Sequence, residues 1–251
     1  MSIPAVSIHD LSYKYAGQST PSLFHLNLEV NEGERFGIFG PNGAGKTTLM
    51  NCMTGLLEVK EGHISLFGEK ISRHNKNIHR LFGFVPQDFS FYQELSPVEN
   101  LAFFGAWAGL RSPEIKRRTN ELLEVLGLTD VKDKQVEKFS GGMKRRVNLA
   151  ISVMHHPRLL FLDEPTVGVD VQTRHAIIDY LLELNREGTT LIYTSHQLNE
   201  AQSLCDTIAL IDIGQIIAHD KLENLLQAHD EHGLEGLFIK LTGRAYRDCN
   251  V

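Results

Sequence analysis

The chain has 251 residues, 42% hydrophobic and 22% charged, with a formal net charge of −6. That is long enough for one generous α/β domain or two small ones, and too acidic for a nucleic-acid binder held by bulk charge. The best apolar run, LAFFGAWAGL at 101–110, is only ten residues long and holds two glycines, so no membrane-spanning helix is expected.

The start, MSIPAVSIHD, has neither a basic stretch nor an apolar signal core, so the chain is expected to stay in the cytoplasm. Alternating runs at 5–9 and at Leu26, Leu28 and Val30 predict β-strands up to about residue 30, antiparallel because their turns are short. A β-type run at 35–39 (RFGIF) then leads into GPNGAGKTT at 40–48, and 47–53 is helix-compatible. The first eight residues of that loop fit the pattern G, any four, G, K, then S or T, in the strand, loop and helix order that phosphate binding needs. Gly40, Gly43 and Gly45, with Pro41, Asn42 and Ala44 between them, let the backbone curl with its N–H groups inward. The start of the following helix adds about half a positive charge, which makes a polyanion site. Lys46 would reach the β- and γ-phosphates, the Thr47 hydroxyl would take a Mg²⁺ position, and Thr48 would bond the α-phosphate.

Next come a short strand at 63–67, a polar stretch at 69–77 and a strand ending at Pro86. From Pro97 to about His156 the period is helical, with Pro97 and Pro113 each suited to a first turn, so the middle third is a helical insert. Strand and helix then alternate: a strand at 158–162, a helix from about Val171 to Glu187 stopped by Gly188, and strands at 190–193, 207–212 and 215–218. In that helix Val171, Ile178 and Leu182 share a face, with Ile177, Leu181 and Leu184 beside it, giving a stripe to pack on a sheet. The tail from Asp220 mixes apolar and charged residues. Cys52, Cys205 and Cys249 have neither metal-ligand nor disulfide spacing.

Two further segments carry chemistry. RLLFLDEPT at 158–166 is an apolar strand that ends in two carboxylates, at the strand end where parallel α/β sheets bind ligands. Asp163 would hold Mg²⁺ through water, and Glu164 would polarise the water that attacks a γ-phosphate. FSGGM at 139–143 precedes a helix: Ser140 caps it while Gly141 and Gly142 expose N–H groups, making a second small anion site. The following Lys144, Arg145 and Arg146 are expected to form a solvated helix face.

The order GPNGAGKTT, FSGGM, LLFLDEPT, VGVD and TSH resembles the ATP-binding-cassette (ABC) ATPases over nearly the whole chain. The resemblance implies one nucleotide-binding domain at 1–251, a phosphate-loop core with a mixed, mainly parallel sheet and an N-terminal antiparallel β-subdomain. The core and β-subdomain would be 1–87 and 158–219, the signature-bearing α-helical subdomain about 88–157, and the tail 220–251. It implies ATP and Mg²⁺ as ligands, and a head-to-tail pair with a second copy or a homologous subunit. In such a pair Ser140, Gly141 and Gly142 of one cassette contact the γ-phosphate held by the other. Tyr15 matches the aromatic that stacks on adenine, with Tyr13 as its alternative. Gln87 matches the Q-loop glutamine that touches Mg²⁺ and the attacking water. His196 matches the switch histidine on the γ-phosphate, and Asp170 ends the D-loop that crosses the dimer interface.

Phe139 and Met143 replace the usual leucine and glutamine of the signature, and Val167 the usual serine of the D-loop. Ser140, Glu164 and His196 are retained, so both sites of a homodimer are expected to be competent. GGMKRR is similar to the ATPase subunits of bacterial ABC-2-type exporters, as more weakly are LEGLF at 234–238 and LTGR at 241–244. This implies an integral membrane permease as partner, a place on the cytoplasmic face of the inner membrane, and no nucleic acid. Phe89, Phe91, Tyr92, Phe103, Phe104 and Trp107 lie where the family grips its membrane subunit. About a third of them are expected on the contact surface and some in the core. Two other classes stay open: a soluble cassette ATPase, such as the iron–sulfur assembly type, and a small-molecule phosphotransferase, which would need an acceptor pocket and lid.

Overall fold

The computed structural model describes residues 3–72, 75, 78–196, 198 and 204–243, so Cys249 and Arg244 lie outside it. The chain divides into two compact units, Met1–Ile78 with Thr190–Val251, and His79–Thr189.

In the first unit, β1 (Val6–Tyr13), β2 (Leu23–Val30), β4 (Glu61–Leu66) and the short β5 (Glu69–Lys70) form an antiparallel sheet in the order β2-β1-β4-β5. Leu26, Leu28 and Val30 are buried and their neighbours His25, Asn27 and Glu29 exposed, as the period of two requires. A second group of strands is mixed. β3 (Arg35–Phe39) runs parallel to both β8 (Thr190–Ser195) and β9 (Thr207–Asp212), and β10 (Gln215–Lys221) is antiparallel on β9. Every residue of β8 and β9 is buried, the mark of strands covered on both faces. The phosphate-loop sequence leaves the carboxyl end of β3 and enters α1 (Lys46–Met53). The tail is more regular than its mixed composition suggests. It forms helices Leu222–Ala228 and Leu234–Thr242, with Leu225, Leu234, Leu237 and Phe238 buried and Gly243 ending the second at φ 65. Cys52 and Cys205 are free and buried, and burial pushes the Cys52 thiol up to about 12.

The second unit holds β6 (Phe82–Val85) parallel to β7 (Leu159–Asp163), with α2 (Pro97–Trp107), α3 (Ser112–Val125), α4 (Gly141–Val153) and α5 (Val171–Arg186). Pro97 and Pro113 both sit in first turns, where a missing N–H costs nothing. Ser96 and Glu99 form a capping box at the head of α2. The buried stripe of α5 is Ile177, Tyr180, Leu181 and Leu184, whereas Ile178 and Leu182 are half-buried and Val171 is 65% exposed. The expected face is thus rotated: a stripe through 177, 181 and 184 also takes in Tyr180, whose ring packs while its hydroxyl stays polar.

α4 lies so close to β6 that a Cβ built on Gly83 would be 2.1 Å from the Ser152 carbonyl oxygen. Gly83→Ala is expected to destabilise the protein by about 1–3 kcal/mol, since either strand or helix must shift. Denaturant unfolding measures this, and an unchanged midpoint would contradict the close approach.

Candidate functional site

The phosphate loop belongs to the first unit. Gly43 and Gly45 take left-handed φ values of 79 and 113, a region that costs other L-residues about 1–2 kcal/mol. Gly40 is required for a different reason: a Cβ there would be 2.1 Å from the Ile211 carbonyl oxygen of β9. α1 follows Gly45, its N-cap, with no side-chain cap hydrogen bond and no acidic residue in its own first turn, the arrangement that leaves a helix start suited to an anion. Lys46 is 5% exposed, and its ammonium donates to the carbonyls of Gly40 at 2.6 Å and Pro41 at 3.2 Å. The loop and its lysine are therefore tied into one rigid arch.

Tyr15 and Thr48 meet beside this arch, with their hydroxyl oxygens 3.3 Å apart, and Tyr13 packs edge-on against Tyr15 at 5.0 Å between centroids. Asn42, Gly43 and Thr47 are exposed along the loop. Parallel register pairs Phe39 with Ser195, so Gly40 and the half-buried His196 leave adjacent strands at the same edge.

The second unit carries the carboxylates. Asp163 ends β7 and is 1% exposed, and Glu164 is 6% exposed. Glu164 holds φ at 51, left-handed for a non-glycine residue, a strained conformation of the sort found at functional positions. Its Oε2 accepts from Gln87 Nε2 at 3.3 Å, so the two residues expected to act on one water are already in contact.

Ser140 caps α4, its Oγ accepting from the Met143 N–H at 3.3 Å. Phe139, which precedes the cap, is buried. A Cβ on Gly142 would lie 3.2 Å from the Thr173 side chain and 3.6 Å from Asp170 Oδ2, and one on Gly141 3.6 Å from the Gly168 carbonyl oxygen. The signature glycines thus pack against the D-loop. Asp170 has a structural duty as well, since it caps α5 by accepting from the Thr173 N–H at 2.9 Å and hydroxyl at 2.7 Å. Those two hydrogen bonds hold its carboxyl below the usual range.

Two sequence expectations need correction. Lys144, Arg145 and Arg146 are not a solvated face. Arg145 is 5% exposed and donates to the Pro86 and Gln87 carbonyls at 3.2 and 3.0 Å, with its guanidinium 5.0 Å from the Phe89 ring centre. Burial pulls its pKa below the ordinary arginine value against Asp88, Glu164 and Asp163, which raise it. Arg146 donates to the Leu126 carbonyl at 2.8 Å, and Lys144 to Gln93 Oε1 at 3.3 Å. The sign visible in the sequence was the spacing of Arg145, Asn148 and Ser152, three polar residues at the helical period interleaved with the apolar Val147, Leu149 and Val153. The second correction concerns the aromatics, none of which is fully buried. Tyr92, Phe103 and Trp107 are exposed, Trp107 by 77%, and Phe89, Phe91 and Phe104 are half-buried.

Residues 23–167, more than half the chain, match the family model described as ABC transporter. The chain belongs to the ABC transporter family. This cassette is 44% identical over 193 residues to the linearmycin resistance ATP-binding protein LnrL of Bacillus subtilis, covering 77% of this chain but 62% of that one. It is 40% identical to a Nod factor export ATP-binding protein I of Cupriavidus metallidurans, over 81% of this chain and 67% of that one. Daunorubicin resistance ATP-binding protein DrrA3 of Streptomyces coeruleorubidus is 36% identical, covering 97% of this chain and 80% of that one. A solved ATP-binding subunit of an ABC transporter superposes with a TM-score of 0.87 at 28% identity, over 95% of this chain and 99% of that one. A cassette solved as a dimer in a post-hydrolysis state, bound to ADP and Pi, gives 0.79 at 26% identity, over 86% and 98%. Among the described residues no helix is long and apolar enough to cross a membrane.

Proposed function

We propose that this cassette binds and hydrolyses MgATP and powers a transporter, of exporter type, whose membrane-spanning part is a separate subunit. The observation that carries the reading is the phosphate arch: left-handed glycines, an uncapped helix start and a buried lysine ammonium suit a polyphosphate and little else. Mg²⁺ arrives with the nucleotide. Thr47, Asp163 and Gln87 are assigned to it, and Lys46 with the loop residues 40–48 to the phosphates. Glu164 takes a proton from the attacking water, Gln87 orients that water, and His196 faces the γ-phosphate. Ser140, Gly141, Gly142 and Asp170 are assigned to contact with a second cassette, copy or homologue.

Support for a membrane partner comes from the names of the relatives, which include export and drug-resistance ATP-binding proteins. It also comes from a cluster on the helical segment 88–157. There Tyr92, Phe103 and Phe104 pack ring to ring with centroids 5.0 to 6.1 Å apart, and Trp107 stands exposed further along α2. The cassette then sits on the cytoplasmic face of the membrane through its partner. Isolation from native membranes in mild detergent tests this. A co-purifying subunit with several apolar spans of about 20 residues is expected; a partner without such spans overturns the transport reading in favour of a soluble cassette ATPase.

Tyr15 is assigned to adenine because its hydroxyl already sits on Thr48, next to the arch. Tyr15→Ala is expected to weaken ATP binding by about 1–3 kcal/mol, roughly 5- to 150-fold, with Tyr13→Ala near neutral. Titration with a fluorescent ATP analogue reads the difference, and the reverse ranking moves the assignment to Tyr13.

A further inference from the structure

Among the described residues β6 pairs with β7 and with no strand on its other side, so the carbonyls on that outer edge need partners from elsewhere. α4 supplies them. Ser152 Oγ donates to the Phe84 carbonyl at 2.6 Å, and Asn148 Nδ2 to the Pro86 carbonyl at 3.3 Å. Arg145 Nη1 donates to the carbonyls of Pro86 and Gln87, and His155, just past the helix, pairs through Nε2 with the Phe82 carbonyl at 3.1 Å. Positions 145, 148 and 152 recur at the helical period, while 82, 84 and 86 recur at the strand period. Two periodicities are matched tooth to tooth, and Gly83 lets the helix come close enough for them to engage.

The ladder joins two segments with separate proposed duties. α4 opens on Ser140, and the strand runs out into Gln87, whose amide rests on Glu164. Arg145 is the tooth nearest to both. Its Nη1 donates to two successive carbonyls while the flat guanidinium lies over Phe89, 5.0 Å from the ring centre; a lysine ammonium could bond the carbonyls but has no planar face to lay on the ring at the same time.

We infer that Arg145 is a positioning residue for hydrolysis: it fixes the backbone at Gln87 so that the amide stays on Glu164, and makes signature helix and Q-loop move as one body. This rests on the roles proposed for Gln87 and Glu164. Arg145→Lys, which keeps the charge and the helix, is the decisive change. It is expected to lower kcat roughly 5- to 20-fold with KM for ATP and the thermal midpoint near those of the parent protein. Because Arg145 acts through Gln87, the double variant Arg145→Lys/Gln87→Ala should turn over within about twofold of Gln87→Ala alone. Phe89→Leu, which removes only the ring beneath the guanidinium, should give a smaller kcat loss at unchanged KM.

Multiplying losses in the double variant overturn the inference, as does a loss in Arg145→Lys that appears only in KM or in the thermal midpoint. If Gln87→Ala alone turns over like the parent, the role of Gln87 falls and this inference with it. If Gln87→Ala is impaired but the losses multiply, only the Arg145 coupling falls.

Discussion

Glu164→Gln is expected to slow ATP turnover about 10²–10⁴-fold while leaving ATP affinity within a few-fold of the parent, the pattern of a lost general base. The substitution is nearly isosteric, so it separates chemistry from folding at a residue that is 6% exposed. It also keeps whatever strain the left-handed backbone at φ 51 holds, since glutamine occupies that region no more easily than glutamate. Gln87, at 3.3 Å, still has an acceptor to bond, so the amide should stay in place. Phosphate release and nucleotide binding, measured on the same preparation, read the two effects separately. Turnover equal to the parent's removes Glu164 from the chemistry.

Lys46→Ala should act earlier, on binding itself. Loss of the ammonium deletes the charge facing the β- and γ-phosphates, and truncating one partner of a close charge pair costs roughly 2–5 kcal/mol, about 30- to 5,000-fold in affinity. It also strips the Gly40 and Pro41 carbonyls of a donor they have at 2.6 and 3.2 Å, so the free protein should lose about 1–3 kcal/mol of stability. Nucleotide titration with a melting curve resolves both. Unchanged affinity for ATP would sink the phosphate-loop assignment, and a lowered melting temperature alone would leave Lys46 as a strut of the arch.

Contrasts between these residues show what a sequence displays. The phosphate loop was legible because its geometry is a property of a few consecutive backbone units: glycine is needed at 43 and 45 for their positive φ, whatever surrounds them. Helix starts at Pro97 and Pro113 were legible for the same local reason. The need for glycine at 40 comes instead from Ile211 on another strand, about which the motif says nothing. Asp170 was read for a dimer interface, while its bonds to Thr173 also make it the cap of α5. Arg145 is the plainest case: three adjacent basic residues look like a solvated face until Pro86 and Gln87, just past β6 and far away in sequence, present carbonyls for the second of them to hold.

By itself, then, the sequence determined that the chain carries the phosphate-loop pattern at 40–48, two carboxylates at a strand end and a capped glycine pair before a helix, and that these occur in the order of one family. Each motif, though not their order, is encoded within a stretch of less than ten residues, where backbone torsion, capping and alternation act through nearest neighbours. Tertiary structure decided which side chains are buried and what they hold: the rotated core stripe of α5, the exposed ring of Trp107, the Gln87 to Glu164 contact, and the ladder that locks α4 to β6. The physical reason is that a buried polar group must find its partner within about 3 Å, and which distant backbone atoms come that close is settled only when the strands and helices pack.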